Sequence, residues 1–264
     1  MLKKLLKYDI AYALSFLWVF YLIGLFFAAV SRAATLLPES SFSVFLAGFC
    51  RGVSISMIFN AIINNVIFVW RRFKSTLYGD AAYLYHTLPV KKSAHYLSRI
   101  FSAVLSIFLS VAVSALMLFI AFYSKDNIEL VKTFLEPIAN AFESNIFAIL
   151  ITLTSLIFLQ LVNIMQCGIT GIILGHRKNN NKLAFSFLFG FIAYIITQGI
   201  NLISAVLFGL MNDDIMLLFT SSTMPSVSAI KQIIAICIII YAVLVAALCL
   251  INVKLLNRGV NIDL

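Results

Sequence analysis

The residues able to do chemistry sit inside apolar runs. Ser54, Ser56, Asn60, Asn64 and Asn65 lie in one run, Gln160, Asn163 and Gln166 in another, and Tyr194, Thr197, Gln198, Asn201 and Ser204 in a third. In hydrocarbon each such group needs a partner or a water-lined surface. At about 100° per residue, Arg51, Ser54 and Asn65 share one helix face and Ser56, Asn60 and Asn64 another. The third set makes an i, i+3, i+4, i+7, i+10 stripe. These patterns nominate Arg51, Asn60, Asn64, Asn163, Gln166, Gln198 and Asn201 as the lining of a route across a membrane. The competing reading is interhelical hydrogen bonding, at about 1 kcal/mol or less per pair; the sequence leaves both open. Arg51 is the charge deepest inside an apolar run. Counting back about 20 residues from Val69 places it where its guanidinium snorkels to the outer interface.

A second concentration of chemistry lies between two apolar runs, in VWRRFKSTLYGDAAYLYHTLPVKKSAHYLSRI. Gly79 interrupts the preceding helix, Asp80 suits an N-cap, Ala81 to Thr87 can make two turns, and Pro89 stops them. A short helix carrying Tyr83, Leu84, Tyr85 and His86, ringed by Arg71, Arg72, Lys74, Lys91 and Lys92, reads as a docking element for a soluble protein. The bland alternative is a loop helix packed back on the membrane surface. Elsewhere, chemistry is sparse. Cys50, Cys167, Cys237 and Cys249 are scattered in apolar segments, and His86, His95 and His176 are unpaired by spacing. Asp213 and Asp214 are adjacent in an outer loop. The sequence has no G-x-x-x-x-G-K-[ST], no H-E-x-x-H and no G-x-S-x-G, so it offers no phosphate-cradling loop and no familiar hydrolytic centre.

The elements that must position these residues are membrane helices. Of 264 residues 62% are apolar and 11% charged, and mean hydropathy is +1.05; soluble domains are nearer a quarter charged. Six spans are expected, about Ile10 to Ser31, Phe42 to Val69, Ala94 to Tyr123, Phe142 to Gly175, Leu183 to Met211 and Ala229 to Val253. They form a single all-α transmembrane domain over residues 1–264, with no sizeable soluble part. The net charge of +9 comes from Lys and Arg beside span ends, which reads as topology and not as nucleic-acid binding. Lys3, Lys4, Lys7, Arg71, Arg72, Lys74, Lys91, Lys92, Arg99, Arg177, Lys178, Lys182, Lys254 and Arg258 fall on one side, and Arg32, Arg51, Lys125, Lys132 and Lys231 on the other or within a run. The positive-inside rule puts both termini, the second-to-third loop and the fourth-to-fifth loop in the cytoplasm. The start, MLKKLLKYD, reads as an uncleaved lead into the first span: either a short interfacial helix over 1–9 or a charged anchor. Ser98, Ser102, Ser106, Ser110 and Ser114 in the third span, and Gly168, Gly171 and Gly175 in the fourth, read as close helix packing, with a polar lining as the alternative.

The run Arg72-Phe73-Lys74, Leu77-Tyr78-Gly79-Asp80, Tyr83-Leu84 and Thr87-Leu88-Pro89-Val90 resembles the signature loop of small six-span permease subunits of bacterial ABC exporters whose ATPase is a separate polypeptide. The opening MLKKLLKYD is similar to their start. The resemblance implies an elbow helix at Met1 to Tyr8 and, within the cytoplasmic loop 70–93, a coupling helix that inserts into the ATPase through Asp80, Ala81, Tyr83, Leu84, Tyr85, His86, Thr87, Leu88 and Pro89. It implies no cofactor in this chain, with ATP and Mg held by two ATPase subunits, and a second permease, the same chain or a related one. It also implies a multi-pass place in the bacterial plasma membrane, and an outer loop over 212–228, with Leu217, Leu218, Phe219 and Pro225, that dips into the bilayer. Exporters of phenol-soluble modulins, amphipathic cytolytic peptides, are the branch it suggests. A receptor or scaffold using the same docking loop without transport is the alternative, and a membrane-embedded enzyme comes third, for want of intramembrane carboxylates or histidines.

Overall fold

The computed structural model describes residues 2–38, 40–79, 82–87, 92–178, 180–212, 215–216 and 227–258, apart from the side chains of 2–4, 84–86, 92, 125–126 and 141. Among the described residues the regular structure is all helical: α1 (Leu2–Ala34), α2 (Ser41–Leu77), α3 (Ala82–Thr87), α4 (Lys92–Phe122), α5 (Lys125–Ala141), α6 (Ile146–Gly175), α7 (Lys182–Met211) and α8 (Val227–Asn257). Six of them, α1, α2, α4, α6, α7 and α8, are long and apolar enough to cross a membrane. This is a multi-pass membrane protein. Its large apolar side chains are left open along the helices, among them Trp18, Phe59, Phe108, Phe187 and Leu250, as hydrocarbon in place of water as solvent allows.

The expected spans lie inside these helices, with three differences. At the start, α1 runs unbroken from Leu2 to Ala34, so the first residues and the first span share one helix. The stretch around Asp9 holds no Gly or Pro, and the Asp9 carboxylate is bound to other helices instead of capping its own. The fourth span begins at Ile146 and not at Phe142. Glu143 takes φ 43° in a turn closed by Ser144 N–H donating to Ala139 O at 2.9 Å, which ends one helix before the next starts. The stretch before that turn, left as outer loop by the sequence reading, is the helix α5, which holds Pro137 in its interior.

The chain divides into two compact units. The first, 1–72 with 94–133, is built from α1, most of α2, α4 and the start of α5. Leu17, Tyr21, Ile58, Ala61 and Met117 form its apolar centre. The serine stripe of α4 is buried there. Tyr21 Oη lies 2.6 Å from Ser110 Oγ, Asn65 Nδ2 donates to Ser110 Oγ at 2.8 Å, and Ser106 Oγ donates to Asn65 Oδ1 at 3.0 Å. Small hydroxyls thus let α1, α2 and α4 approach and satisfy the one amide between them.

The second unit, 73–93 with 134–264, holds the tail of α2, α3, the end of α5, and α6 to α8. Its α6 and α7 touch backbone to backbone. A Cβ at Gly171 would run into Ser186 O and Gly190, and one at Gly175 into Ser186. Only glycine permits that crossing.

Candidate functional site

Two features could do more than hold the bundle together: the loop after α2 and the outward polar ridge of α2. The loop is entered through a fixed tail. Phe73, Leu77 and Tyr78 are buried, and Tyr78 N–H and Gly79 N–H both donate to Lys74 O, at 2.9 and 3.3 Å, closing the helix. The Tyr78 ring lies 4.2 Å from that of His176 at the end of α6. Burial pushes the Tyr78 phenol well above its ordinary pKa, against the pull of the Arg177 charge, so it is neutral at any physiological pH. Arg177 Nη2 donates to Leu255 O of α8 at 2.7 Å, so the tail of α2 and the ends of α6 and α8 make one platform. Ala82 N–H then donates to Gly79 O at 2.8 Å, and α3 follows with Ala82 fully buried and Tyr83 74% exposed. Of the expected docking residues, Thr87 is also exposed. Asp80, Ala81, Leu88 and Pro89 lie outside the described residues, as do the side chains of Leu84, Tyr85 and His86. Of the expected dipping outer loop, Leu217, Leu218, Phe219 and Pro225 also lie outside them.

Within the first unit, the two flanks of that loop are clamped by one carboxylate that the sequence patterns do not single out. Asp9 of α1 accepts from Arg72 Nη2 of α2 at 2.6 Å and from Ser98 Oγ of α4 at 2.8 Å. Arg72 Nη1 also donates to Asp9 O at 3.0 Å, and its guanidinium lies 4.2 Å over the Tyr12 ring. Both ionised groups are largely buried, and low local polarity makes such paired charges mutually dependent. Arg72 precedes the loop and Ser98 follows it, so Asp9 ties together the ends of α2 and α4 within this unit.

The lining candidates separate into two kinds. In the second unit most are used internally. Asn163 Nδ2 donates to Thr197 Oγ1 at 3.0 Å. Gln160 Nε2 donates to Tyr194 Oη at 3.0 Å, and Tyr241 Oη donates to Gln198 Oε1 at 2.9 Å. Asn252 Nδ2 donates to Gln166 Oε1 at 3.2 Å, and Thr170 Oγ1 donates to Asn252 Oδ1 at 2.9 Å. Asn163, Gln166 and Asn252 are fully buried. These amides form a ladder joining α6, α7 and α8. Asn201 differs, since its Oδ1 is buried without a hydrogen-bond partner among the described residues.

In the first unit Arg51 sits at the last turn of α4, with Nε donating to Ala121 O at 3.3 Å and the guanidinium 5.6 Å from the Phe122 ring centre. A cation there satisfies a carbonyl that the helix end leaves open. Asn60 and Asn64 instead face out of the unit. Asn60 Nδ2 donates to Ser56 O and Asn64 Nδ2 to Asn60 O, each at 2.9 Å along their own helix. They continue an i, i+4 ridge of Gly48, Gly52, Ser56, Asn60 and Asn64, of which all but the half-buried Asn64 are exposed. A Cβ on Gly48 or Gly52 would meet nothing within 4 Å. The two glycines therefore answer to nothing inside this unit, and sequence spacing had shown only the lower half of the ridge. No cluster of His, Cys, Asp and Glu able to hold a metal occurs among the described residues. No protein-family model, curated protein or solved structure matches the chain.

Proposed function

We propose that this chain is the permease subunit of an ATP-driven exporter of the ABC type in a bacterial plasma membrane. Two six-helix chains, identical or related, form the route, and two separate ATPase subunits, which hold the ATP and Mg, dock on the loop around α3. The substrate class is an amphipathic peptide or another hydrophobic compound. The observation that carries the transport reading is the outward ridge of α2. Amides facing hydrocarbon at mid-helix are costly, so Ser56, Asn60 and Asn64 call for water or a second chain, and a route formed between two permeases supplies both. The loop's resemblance supplies the ATPase, and the exposed Tyr83 on a short helix with a buried, braced base supports a docking role. Closure of the ATPases would then push on α3.

The test is purification of the tagged chain from its native cell in a mild detergent, with co-purifying polypeptides counted by mass spectrometry. A Walker-type ATPase at one copy per permease is expected, and Tyr83→Ala should weaken its binding about tenfold, as loss of an exposed aromatic anchor does. Recovery of the chain alone, or with a signalling protein, would overturn the exporter reading in favour of a receptor or scaffold.

A further inference from the structure

The helix α5 carries an inference independent of transport. Viewed down its axis at about 100° per residue, its residues fall into three sectors. Glu129, Lys132, Thr133, Glu136 and Asn140 form an exposed polar sector. Ile128, Leu135 and Ala139 form a sector packed on the protein, half-buried for the first two and buried for Ala139. Leu130, Val131 and Phe134, 66%, 50% and 74% exposed, form the third, together with the half-buried Ile138 and Asn127, whose Nδ2 donates to Phe122 O at 2.9 Å. The exposed apolar sector is centred about 150° from the polar one. A helix bathed in water on all open sides has no use for it.

The surroundings identify what covers it. A two-residue link, Tyr123 and Ser124, joins α5 to the candidate span α4, three Cα–Cα steps that reach at most about 11 Å. Its other end joins the span α6 through residues 142–145. The helix is therefore tethered at the level where α4 ends. That level is marked by arginines on aromatic rings: Arg32 lies 5.3 Å from the Tyr123 ring centre and Arg51 5.6 Å from that of Phe122. Arginine and tyrosine together are the signature of the headgroup zone, where a charged tip stays wet and a ring stays half-immersed. The exposed Phe119 and Tyr123 rings, 5.0 Å apart, leave further apolar surface open at the end of α4.

We propose that α5 is a membrane-surface helix, lying in the lipid–water interface on the side opposite the basic loops. Leu130, Val131 and Phe134 enter the acyl-chain region, Glu129, Lys132 and Glu136 face water, and Ile128, Leu135 and Ala139 hold the helix to the bundle. The occupant of its open apolar edge is lipid, recognised by apolar area and not by headgroup charge, since the polar sector carries charges of both signs.

The test places nitroxide labels singly at 130, 134, 132 and 136 of the full chain, with Cys50, Cys167, Cys237 and Cys249 replaced, in phosphatidylcholine–phosphatidylglycerol vesicles. Labels at 130 and 134 should collide more with oxygen than with a water-soluble nickel chelate, and those at 132 and 136 the reverse. Should the cysteine replacements prevent folding, Phe134→Trp in the otherwise native chain should lose its added emission to brominated phosphatidylcholine. Nickel access at all four positions, exclusion of both reagents at 130 and 134 by a covering protein, or an unquenched tryptophan would overturn the proposal.

Discussion

The amides of α6 to α8 and those on the outward ridge of α2 are the same chemical groups in opposite situations. Asn163, Gln166 and Asn252 are fully buried and bonded across helices, whereas Asn60 and Asn64 bond along their own helix on an open face. The glycines divide the same way: Gly171 and Gly175 are pressed against α7, and Gly48 and Gly52 against nothing. Where a polar or small residue is consumed by contacts within the chain, folding explains it. The ridge of α2 has no such explanation, which is why it carries the functional reading.

Substitutions can break or sharpen this contrast. The largest effect is expected from the buried charge pair: Asp9→Ala should cost about 3–5 kcal/mol, by removing one partner of a largely buried ion pair, read as lost resistance to unfolding in SDS. Gly171→Leu should cost about 2 kcal/mol or more by forcing α6 from α7, while Gly52→Leu should leave stability unchanged and impair transport; equal destabilisation by both would erase the contrast. A double-mutant cycle of Asn163→Leu with Thr197→Val should give a coupling of about 1 kcal/mol. Asn60→Leu should change stability by less than about 0.5 kcal/mol yet reduce export in reconstituted vesicles.

Much of the fold was legible because a membrane helix announces itself by length and apolar content, and the serine stripe of α4 pointed correctly to close packing. Three features were not. The helix α5 was hidden by its acidic residues and by Pro137, which favour a loop, although an apolar period through Ile128, Val131, Leu135 and Ile138 is present in the sequence. Asp9 belonged to no sequence pattern, although a carboxylate at the edge of the first apolar run needs a partner; that the partner is the distant Arg72 and not the neighbouring Lys7 is set by tertiary contacts. The last is the fate of each amide. Periodicity says which residues share a face, but whether that face meets another helix of the chain depends on tertiary contacts, so Asn163 and Asn60 read alike.

The most direct test of the central claim, that the α2 ridge borders a water-filled route, is thiol labelling in native membranes. In a chain with the four native cysteines replaced, Ser56→Cys and Asn60→Cys should react with a polar maleimide, because a thiolate forms only where water reaches. Val19→Cys, on the open apolar face of α1, should stay unreactive. Silence at all three positions, or equal reaction at all three, would contradict the account.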